Sequence, residues 1–406
     1  MQPGRTKIPE DAALPQIERL LDADAVGPVL ERMLGSDEGL TSIRVAYVRY
    51  RPAKRLLVVY ELQCGGETTS AIAQANSGGR DLAGRAALPA SVALAARASD
   101  RSPVRTPLAY DADLEALIQW PPLDLGLPAL AETPERLRQE MVDAGLELER
   151  ADDLPRLVKH KHMQRAVLRL DRHIAKVYRN DEALAEAVAA LSAAESLPVR
   201  TARCEAVMPE LRIAVQSLVP GDPPAGVLEA AGRAGGVLAA LHGATAEGLS
   251  SASPRDRLRR SGDSAALLAT IAPELAPRVE KLMSVLEAKM PVDEPVTSHG
   301  GFHVSQLLES GGELAVIDFD GICLAPAARD FASYVAPLLD APEDLPAVSA
   351  ALDALCEGYD RRPPAVAWYL STLALRRARG PFAAFAPNWP EETERCLAAA
   401  EAALAL

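Results

Sequence analysis

Two aspartates, Asp318 and Asp320, close an apolar stretch of the chain in the segment ELAVIDFDG. A carboxylate at the end of a strand is a suitable ligand for a hard cation such as Mg²⁺. Because residues two apart in an extended chain point to the same face, both carboxylates would reach one ion. This spacing predicts a magnesium site, and the alternative is a β-hairpin with an acidic end that binds nothing.

The loop before this pair is HGGFHVSQ, which contains His299, Gly301, His303 and Gln306. An imidazole titrates near neutral pH and is able to move protons, whereas glycine has no side chain for that purpose. Two short strands, SQLLE and ELAVIDFD, are predicted to follow, with SGG as the turn between them. This hairpin would connect the loop to the acidic pair.

The loop and the acidic strand resemble those of the aminoglycoside phosphotransferase and choline kinase-like family, whose fold is similar to that of protein kinases. The family's loop begins His-Gly-Asp and ends in Asn, and a strand of the type Ile-Asp-Phe-Asp follows. Residues 155–340 carry the resemblance. It implies that the γ-phosphoryl group of ATP is transferred, with Asp318, Asp320 and Gln306 as Mg²⁺ ligands. Gln306 would replace the family's Asn on a longer side chain.

The sequence departs from this family at Gly301, because the family's aspartate accepts the proton of the acceptor hydroxyl. Loss of such a base typically costs about 10²- to 10⁴-fold in rate. Positioning and electrostatics supply most of the catalysis in phosphoryl transfer, so turnover can survive the loss. The resemblance suggests that His303 contacts the γ-phosphate or replaces the base, and that His299 braces the loop by hydrogen bonding.

The resemblance also implies a nucleotide site in the middle of the chain. Lys176, in HIAKVYR, matches the strand lysine that holds the α- and β-phosphates, and Glu186 on the next helix would pair with it. Backbone groups from Gln216 to Val219 would hold adenine at the hinge. Asp330 would support the loop from a helix. For Lys176, the alternative is an ordinary solvated strand lysine, and no Walker A loop occurs in the sequence.

Two parts of the chain share a pattern that would position these residues. Alternating apolar and charged residues in VAYVRYRPAKRLLVVYELQ (45–63) and in HKHMQRAVLRLDRHIAKVYRND (160–181) predict strand, turn, strand. Residues 102–128 and 197–224 extend the similarity, since both contain Pro-Val-Arg-Thr and an apolar strand, which ends in Gln119 or Gln216. Such repetition predicts a duplicated unit, with one larger irregular sheet as the alternative. The front copy has Gln74 in place of the lysine, so only the second copy would bind nucleotide.

We therefore predict an α+β, bilobal protein kinase-like (aminoglycoside phosphotransferase-like) fold with a duplicated N-lobe unit. Residues 1–150 would form an extra β-rich unit, which includes a helix near 12–34. Residues 151–222 would form the nucleotide-binding N-lobe and residues 223–406 the helical C-lobe. Apolar residues at three- and four-residue spacing predict amphipathic helices in this last part.

Composition narrows the class of partner. The chain has 406 residues, 49% of them hydrophobic, and a net charge of −13, which argues against non-specific nucleic-acid binding. Five cysteines form no C-x-x-C pair, so neither a disulfide framework nor a zinc site is indicated. No signal peptide or membrane-spanning apolar run is evident, and we predict a cytoplasmic protein with no membrane partner.

The predicted function is an ATP- and Mg²⁺-dependent O-phosphotransferase that acts on a hydroxyl of a small molecule or peptide. A narrower version is a Ser/Thr kinase-like component of a peptide natural-product pathway, in which the N-terminal unit would contact a peptide or protein partner. The alternative is a pseudokinase that binds nucleotide as a scaffold. The arginine-rich segments 253–263 and 374–380 are either solvated helix faces or docking sites for an anionic substrate or acidic peptide.

Overall fold

A computed structural model describes residues 7–34, 39–77, 81–150 and 152–406, and it combines antiparallel sheets with helices. The strands are β1 (Leu40–Arg51), β2 (Arg55–Cys64), β3 (Glu67–Asn76), β4 (Leu108–Asp111), β5 (Ala116–Gln119), β6 (Arg156–Lys161), β7 (Arg165–Leu170), β8 (His173–Tyr178), β9 (Cys204–Met208), β10 (Ile213–Ser217), β11 (Pro295–Ser298), β12 (Leu307–Ser310), β13 (Glu313–Val316) and β14 (Cys323–Pro326). The helices are α1 (Ile17–Leu21), α2 (Ala23–Leu34), α3 (Leu82–Ala87), α4 (Pro89–Ala98), α5 (Pro134–Asp143), α6 (Asp181–Glu195), α7 (Val227–Gly243), α8 (Pro254–Ile271), α9 (Ala276–Ala288), α10 (Ala328–Val335), α11 (Leu345–Tyr359), α12 (Val366–Arg377), α13 (Gly380–Ala383) and α14 (Trp389–Ala402). The α+β class predicted from the sequence is confirmed.

The front sheet has the strand order β1-β2-β3-β5-β4, and every neighbouring pair is antiparallel. The predicted hairpin around RPAK is confirmed, since Arg51 pairs with Arg55 across the turn. The helix predicted near residues 12–34 is found as two helices, α1 and α2, which are separated at Asp22. Residues 1–6 of the predicted front unit lie outside the described part of the chain.

The second sheet has the order β6-β7-β8-β10-β9, again with antiparallel neighbours. The two sheets therefore have the same strand order. In the second sheet, helix α6 lies between β8 and β9 along the chain. The stretch 160–181 holds parts of three strands, because a second turn occurs at Asp171 and Arg172, where Asp171 has a φ of 51°. The single strand, turn, strand pattern predicted there is wrong in this respect. Duplication of one unit stays a prediction.

The turn between β6 and β7 packs against the front sheet. Met163 packs against Leu57, Val59 and Ile72 of that sheet, so the tip of the turn is embedded in apolar side chains. The fully buried carboxylate of Asp124 accepts hydrogen bonds from the Met163 backbone N–H at 2.7 Å and from His160 Nε2 at 2.9 Å. The turn between β6 and β7 is thus held in place by the front unit.

The rear part of the chain is helical, as the apolar spacing predicts. Helix α7 packs along α11, and α12 packs against α8, α10 and α14. The two-stranded pairs β11–β14 and β12–β13 interrupt these helices, and β12–β13 confirms the hairpin predicted at SGG. The front unit also contacts this part, since the rings of Tyr50 and Phe382 lie 6.2 Å apart. Within the described ranges, no helix has the length and apolar character needed to cross a membrane.

Candidate functional site

The ammonium group of Lys176 joins the second sheet to the acidic segment after β13. Its Nζ lies 2.6 Å from Asp318 Oδ1 and 2.6 Å from Asp320 Oδ1. The Lys176 side chain is 6% exposed and extends from the middle of β8, so it reaches this position from inside the structure and not through solvent. Lys176, Asp318 and Asp320, which are predicted to hold phosphate and metal, are thus brought together between the second sheet and the helical part.

Arg165, which the sequence analysis did not single out, is a second cation at this site. Its guanidinium contacts Asp320 Oδ2 and lies 3.4 Å from both carboxylate oxygens of Asp318. Burial alone would lower the pKa of Arg165, but the two aspartates raise it overall. Burial alone would raise the pKa of Asp318, but the charges of Lys176 and Arg165 lower it well below its ordinary value. Asp318 is therefore charged, and both aspartates are paired with cations.

The backbone at Asp318 differs from the extended chain that the sequence predicts. Asp318 has φ 64° and ψ 52°, a left-handed conformation, and Phe319–Gly321 forms a 3₁₀ turn. The prediction that both carboxylates share one face of an extended strand is therefore wrong. They converge because the left-handed residue starts a tight turn, which returns Asp320 toward Lys176. Aspartate tolerates this conformation better than most residues, since its short side chain can bond locally.

Glu186 does not pair with Lys176, and that prediction is wrong. Helix α6 buries Leu184, Ala187 and Leu191, whereas Glu186 is exposed. Adjacent residues of an α-helix point in different directions, so Glu186 faces solvent although the next residue, Ala187, is buried. The acidic partners of Lys176 are supplied by the segment after β13 instead.

The loop after β11 is organised by the fully buried carboxylate of Asp330 on α10. It accepts hydrogen bonds from Ser298 Oγ at 2.9 Å, His299 N at 2.8 Å and Gly300 N at 3.0 Å. His242 donates from Nε2 at 3.2 Å. Burial alone would raise the pKa of Asp330, but the hydrogen bond and charge of His242 lower it to about 2. The predicted supporting role of Asp330 is confirmed by these contacts.

Gly300 and Gly301 differ sharply in the space around them. Gly300 has a φ of +82°, and a Cβ placed there would overlap the carbonyl oxygen of Gly321. A Cβ at Gly301 would have no atom within 4 Å, and its φ lies outside the positive range. The position of Gly301 is therefore open and sterically able to hold a side chain.

The two loop histidines have different surroundings. His299 is buried, donates from Nε2 to the Ile317 carbonyl at 3.0 Å, and leaves its Nδ1 without a hydrogen-bond partner. Burial lowers the pKa of His299. His303 is half-buried, and its ring nitrogens lie 2.8 Å from Ser305 Oγ and 3.2 Å from Gln306 Nε2. Burial, followed by the charge of His299, lowers the pKa of His303, so a neutral imidazole is favoured near pH 7. The roles of both residues stay predictions.

Part of the segment predicted to bind adenine, residues 216–219, is itself a strand of the second sheet. Gln216 lies inside β10 and pairs with Ile174 on one side and Cys204 on the other. The Leu218 N–H donates to the Arg172 carbonyl at 2.7 Å. Val219 is buried with Ala202 and Ala315. Backbone contacts to adenine from Gln216 are thus not favoured, and the hinge proposal rests on the residues that follow β10.

The donor atoms of this site fit Mg²⁺. The carboxylate oxygens of Asp318 and Asp320 and the amide oxygen of Gln306 are the hard ligands that this ion prefers. Lys176 and Arg165 already balance the two carboxylates, so an added divalent cation would leave excess positive charge unless an anion enters with it. A magnesium–triphosphate complex would bring that anion.

A comparison with protein-family models agrees with this geometry. The model of the phosphotransferase enzyme family matches residues 149–365, which is more than half of the chain. The chain belongs to this phosphotransferase family. The family resemblance and the kinase-like fold predicted from the sequence are thereby confirmed. No curated protein sequence matches this phosphotransferase-family chain.

Solved structures that resemble this phosphotransferase-family member include several kinases. Choline kinase LicA from Streptococcus pneumoniae is 14% identical, with 66% of this chain and 98% of that chain covered and a TM-score of 0.49. A choline/ethanolamine kinase family protein from Mesorhizobium loti is 12% identical, with 67% and 95% covered and a TM-score of 0.48. An aminoglycoside phosphotransferase from Streptomyces rimosus is 19% identical, with 59% and 96% covered and a TM-score of 0.42.

Proposed function

We propose that this protein transfers the γ-phosphoryl group of ATP to a hydroxyl group of a small molecule. The observation that supports this most is the position of Lys176, whose Nζ lies 2.6 Å from both Asp318 and Asp320. A phosphate-binding cation and two metal-binding carboxylates at one point are what phosphoryl transfer requires. Membership of the phosphotransferase family supports the same reaction class.

In this proposal, Lys176 and Arg165 bind phosphate oxygens of the nucleotide. Asp318 and Asp320, with Gln306, would hold Mg²⁺, which would neutralise charge on those oxygens. The lost ion pairs between cations and carboxylates are replaced by contacts to phosphate and metal, so charge balance is kept. Residues after β10, including Val219, border the adenine.

The loop after β11 would orient the acceptor. The acceptor oxygen forms a bond to the γ-phosphorus while the bond from that phosphorus to the bridging oxygen of ADP breaks. The hydroxyl proton leaves late in such a loose transition state, because little charge develops on the attacking oxygen. It passes either to His303, whose neutral imidazole is able to accept it, or to the transferred phosphate. Gly301 itself supplies no base, and Asp330 keeps the loop in shape.

A second candidate function, a nucleotide-binding pseudokinase, is favoured by Gly301 alone. Lys176 and Arg165 are compatible with both functions, since an active phosphotransferase and a pseudokinase would each bind a triphosphate. The narrower version, a component that phosphorylates a peptide of a natural-product pathway, stays a prediction. So do the domain boundaries at 150/151 and 222/223 and a protein partner of the front unit.

ADP release tests the proposal against the pseudokinase. Wild-type protein, Asp318→Asn and the exposed-lysine control Lys281→Gln, on α9, are incubated with Mg²⁺, ATP and a panel of hydroxyl acceptors. We expect acceptor-dependent ADP release by the wild type and the control, and a loss of about 10²-fold or more in Asp318→Asn. Binding of ATP without acceptor-dependent release across the panel would support the pseudokinase instead.

A further inference from the structure

A group of arginines lies beside the loop that carries Gly301. Arg329 donates to the Gly300 carbonyl oxygen at 2.9 Å and so touches the loop directly. Arg257 is 9% exposed; its Nε donates to Thr372 Oγ1 at 3.1 Å, and one terminal nitrogen, NH2, has no hydrogen-bond partner. Arg376 is the third arginine of the group, and its side chain has no hydrogen bond or ion pair to any residue of the described ranges.

These side chains repel one another. Burial, followed by the charges of Arg376 and Arg329, lowers the pKa of Arg257 to about 9. Burial, followed by the charges of Arg379, Arg260 and Arg329, lowers the pKa of Arg376. Buried charges in proteins are normally paired, because an unpaired one loses its hydration without compensation. Asp256 is engaged in a capping box with Ser253 at the start of α8, and Asp263, whose charge acts on Arg376, forms no hydrogen bond or ion pair with the three arginines within the described ranges.

A cleft of about 720 Å³ lies between Arg376 and the front unit, whereas Arg257 and Arg329 line a separate, smaller pocket together with Arg260. Arg376 and Arg379 line it on one side, and Arg49 and Lys161 line it on the other. Lys and Arg outnumber Asp and Glu among its lining residues, and one of its two acidic residues, Asp340, is already paired with Arg377 at 2.8 Å. This concentration of positive charge occurs in a chain whose net charge is −13. A cleft of this size suits a small molecule.

We propose that Arg257, Arg329 and Arg376 bind an anionic group, phosphate or carboxylate, of a small acceptor molecule whose remainder occupies the cleft. This inference rests on the proposed function, because it identifies the side of Gly301 from which the acceptor hydroxyl approaches. Guanidinium groups match the planar geometry of carboxylate and phosphate oxygens, and such charge-assisted bonds are strong. The ligand supplies the negative charge that the arginines lack within the folded chain.

Calorimetric titration tests this site with two probes, inorganic phosphate and citrate, which separate the phosphate from the carboxylate source. The proteins are the wild type, Arg376→Gln, Lys176→Met and the control Arg259→Gln, an exposed arginine of α8 outside the cleft. We expect at least one probe to bind the wild type, and Arg376→Gln to weaken that binding about 10- to 100-fold. Arg259→Gln should bind the probe as the wild type does. Lys176→Met, which removes a phosphate-binding cation of the nucleotide site, should keep the component of anion binding that Arg376→Gln removes.

Unchanged binding in Arg376→Gln, equal loss in Lys176→Met, or no binding of either anion to the wild type would overturn the inference. AMP-PNP titration of the same proteins separates it from the proposed function. Arg376→Gln should bind AMP-PNP normally, which also shows that this variant is folded. Failure of the wild type to bind AMP-PNP would contradict the proposed function, whereas the anion titration reports on the arginines alone.

Discussion

The backbone of Gly300 lies against the carbonyl oxygen of Gly321, so closely that a Cβ at Gly300 would overlap this oxygen. The next residue, Gly301, has open space on its side-chain position. Only one of the two adjacent glycines is therefore required by packing. The other, Gly301, stands where the sequence resemblance predicts the family's aspartate.

Gly301→Asp should restore a base without disturbing the loop. We expect the rate of acceptor-dependent ADP release to rise by about 10²- to 10⁴-fold, the usual contribution of general base catalysis. The melting temperature should change little. Gly300→Ala is the matched control, and it should lower the melting temperature because the left-handed conformation and the Gly321 oxygen both exclude a side chain. No gain in rate from a folded Gly301→Asp would show that the site lacks more than its base.

Arg165→Gln should make the stability of the protein depend on Mg²⁺ at Asp318 and Asp320. Without Arg165, Asp318 and Asp320 share the single charge of Lys176, and we expect the free energy of unfolding to fall by about 1–3 kcal/mol. Added Mg²⁺ should then raise the melting temperature of the variant more than that of the wild type. Arg169→Gln, an exposed arginine on the same strand, is the control. An equal response to Mg²⁺ in variant and wild type would rule out competition between Arg165 and the metal.

Acidification should destabilise the protein through His162. Burial, followed by the charge of His160, lowers the pKa of His162 to about 4 from an ordinary value of 6.5. The unfolded chain therefore takes up the proton first, so the stability is complete above pH 6.5 and is lost as the pH falls toward 4. We expect the free energy of unfolding to drop by about 1–2 kcal/mol between pH 7 and pH 5 from this residue.

Denaturant unfolding of the wild type and His162→Asn at both pH values measures that contribution. The variant should show a smaller loss of stability on acidification, since asparagine does not titrate. His299, whose pKa is also lowered, contributes in the same direction and remains in both proteins. Identical losses in the two proteins would mean that His162 is as easily protonated in the folded state as in the unfolded chain.

The sequence predicts the convergence of Lys176 with Asp318 and Asp320 because these residues occupy fixed places in a recognisable ordered pattern. It fails at Glu186, where spacing along the chain does not give the rotational phase of a helix. Ala187, which is buried, and Glu186, which is exposed, are adjacent in sequence. It also misses the turn at Asp318, since nothing in IDFDG distinguishes an extended strand from a left-handed residue.

Arg165 was missed because one hairpin turn was overlooked. Once the turn at Asp171 is placed, Arg165 pairs with Tyr178 and Val167 pairs with Lys176. Residues two apart in a strand share a face, so Arg165 and Lys176 then fall on the same side of the sheet. The signal was present in the Leu-Asp-Arg-His sequence between two apolar strands. The contact of the β6–β7 turn with Asp124 could not have been read in this way, because it joins a turn of the second sheet to the segment that follows the front sheet.

Titration of AMP-PNP with Mg²⁺ into the wild type, Lys176→Met and Lys281→Gln tests the central claim most directly. If Lys176, Asp318 and Asp320 form a triphosphate site, the wild type and Lys281→Gln, an exposed lysine of α9, bind equally. Lys176→Met then binds at least about 10-fold more weakly, because a charged hydrogen bond to phosphate is lost. Equal binding by Lys176→Met and the wild type, or no binding by the wild type, would contradict the account.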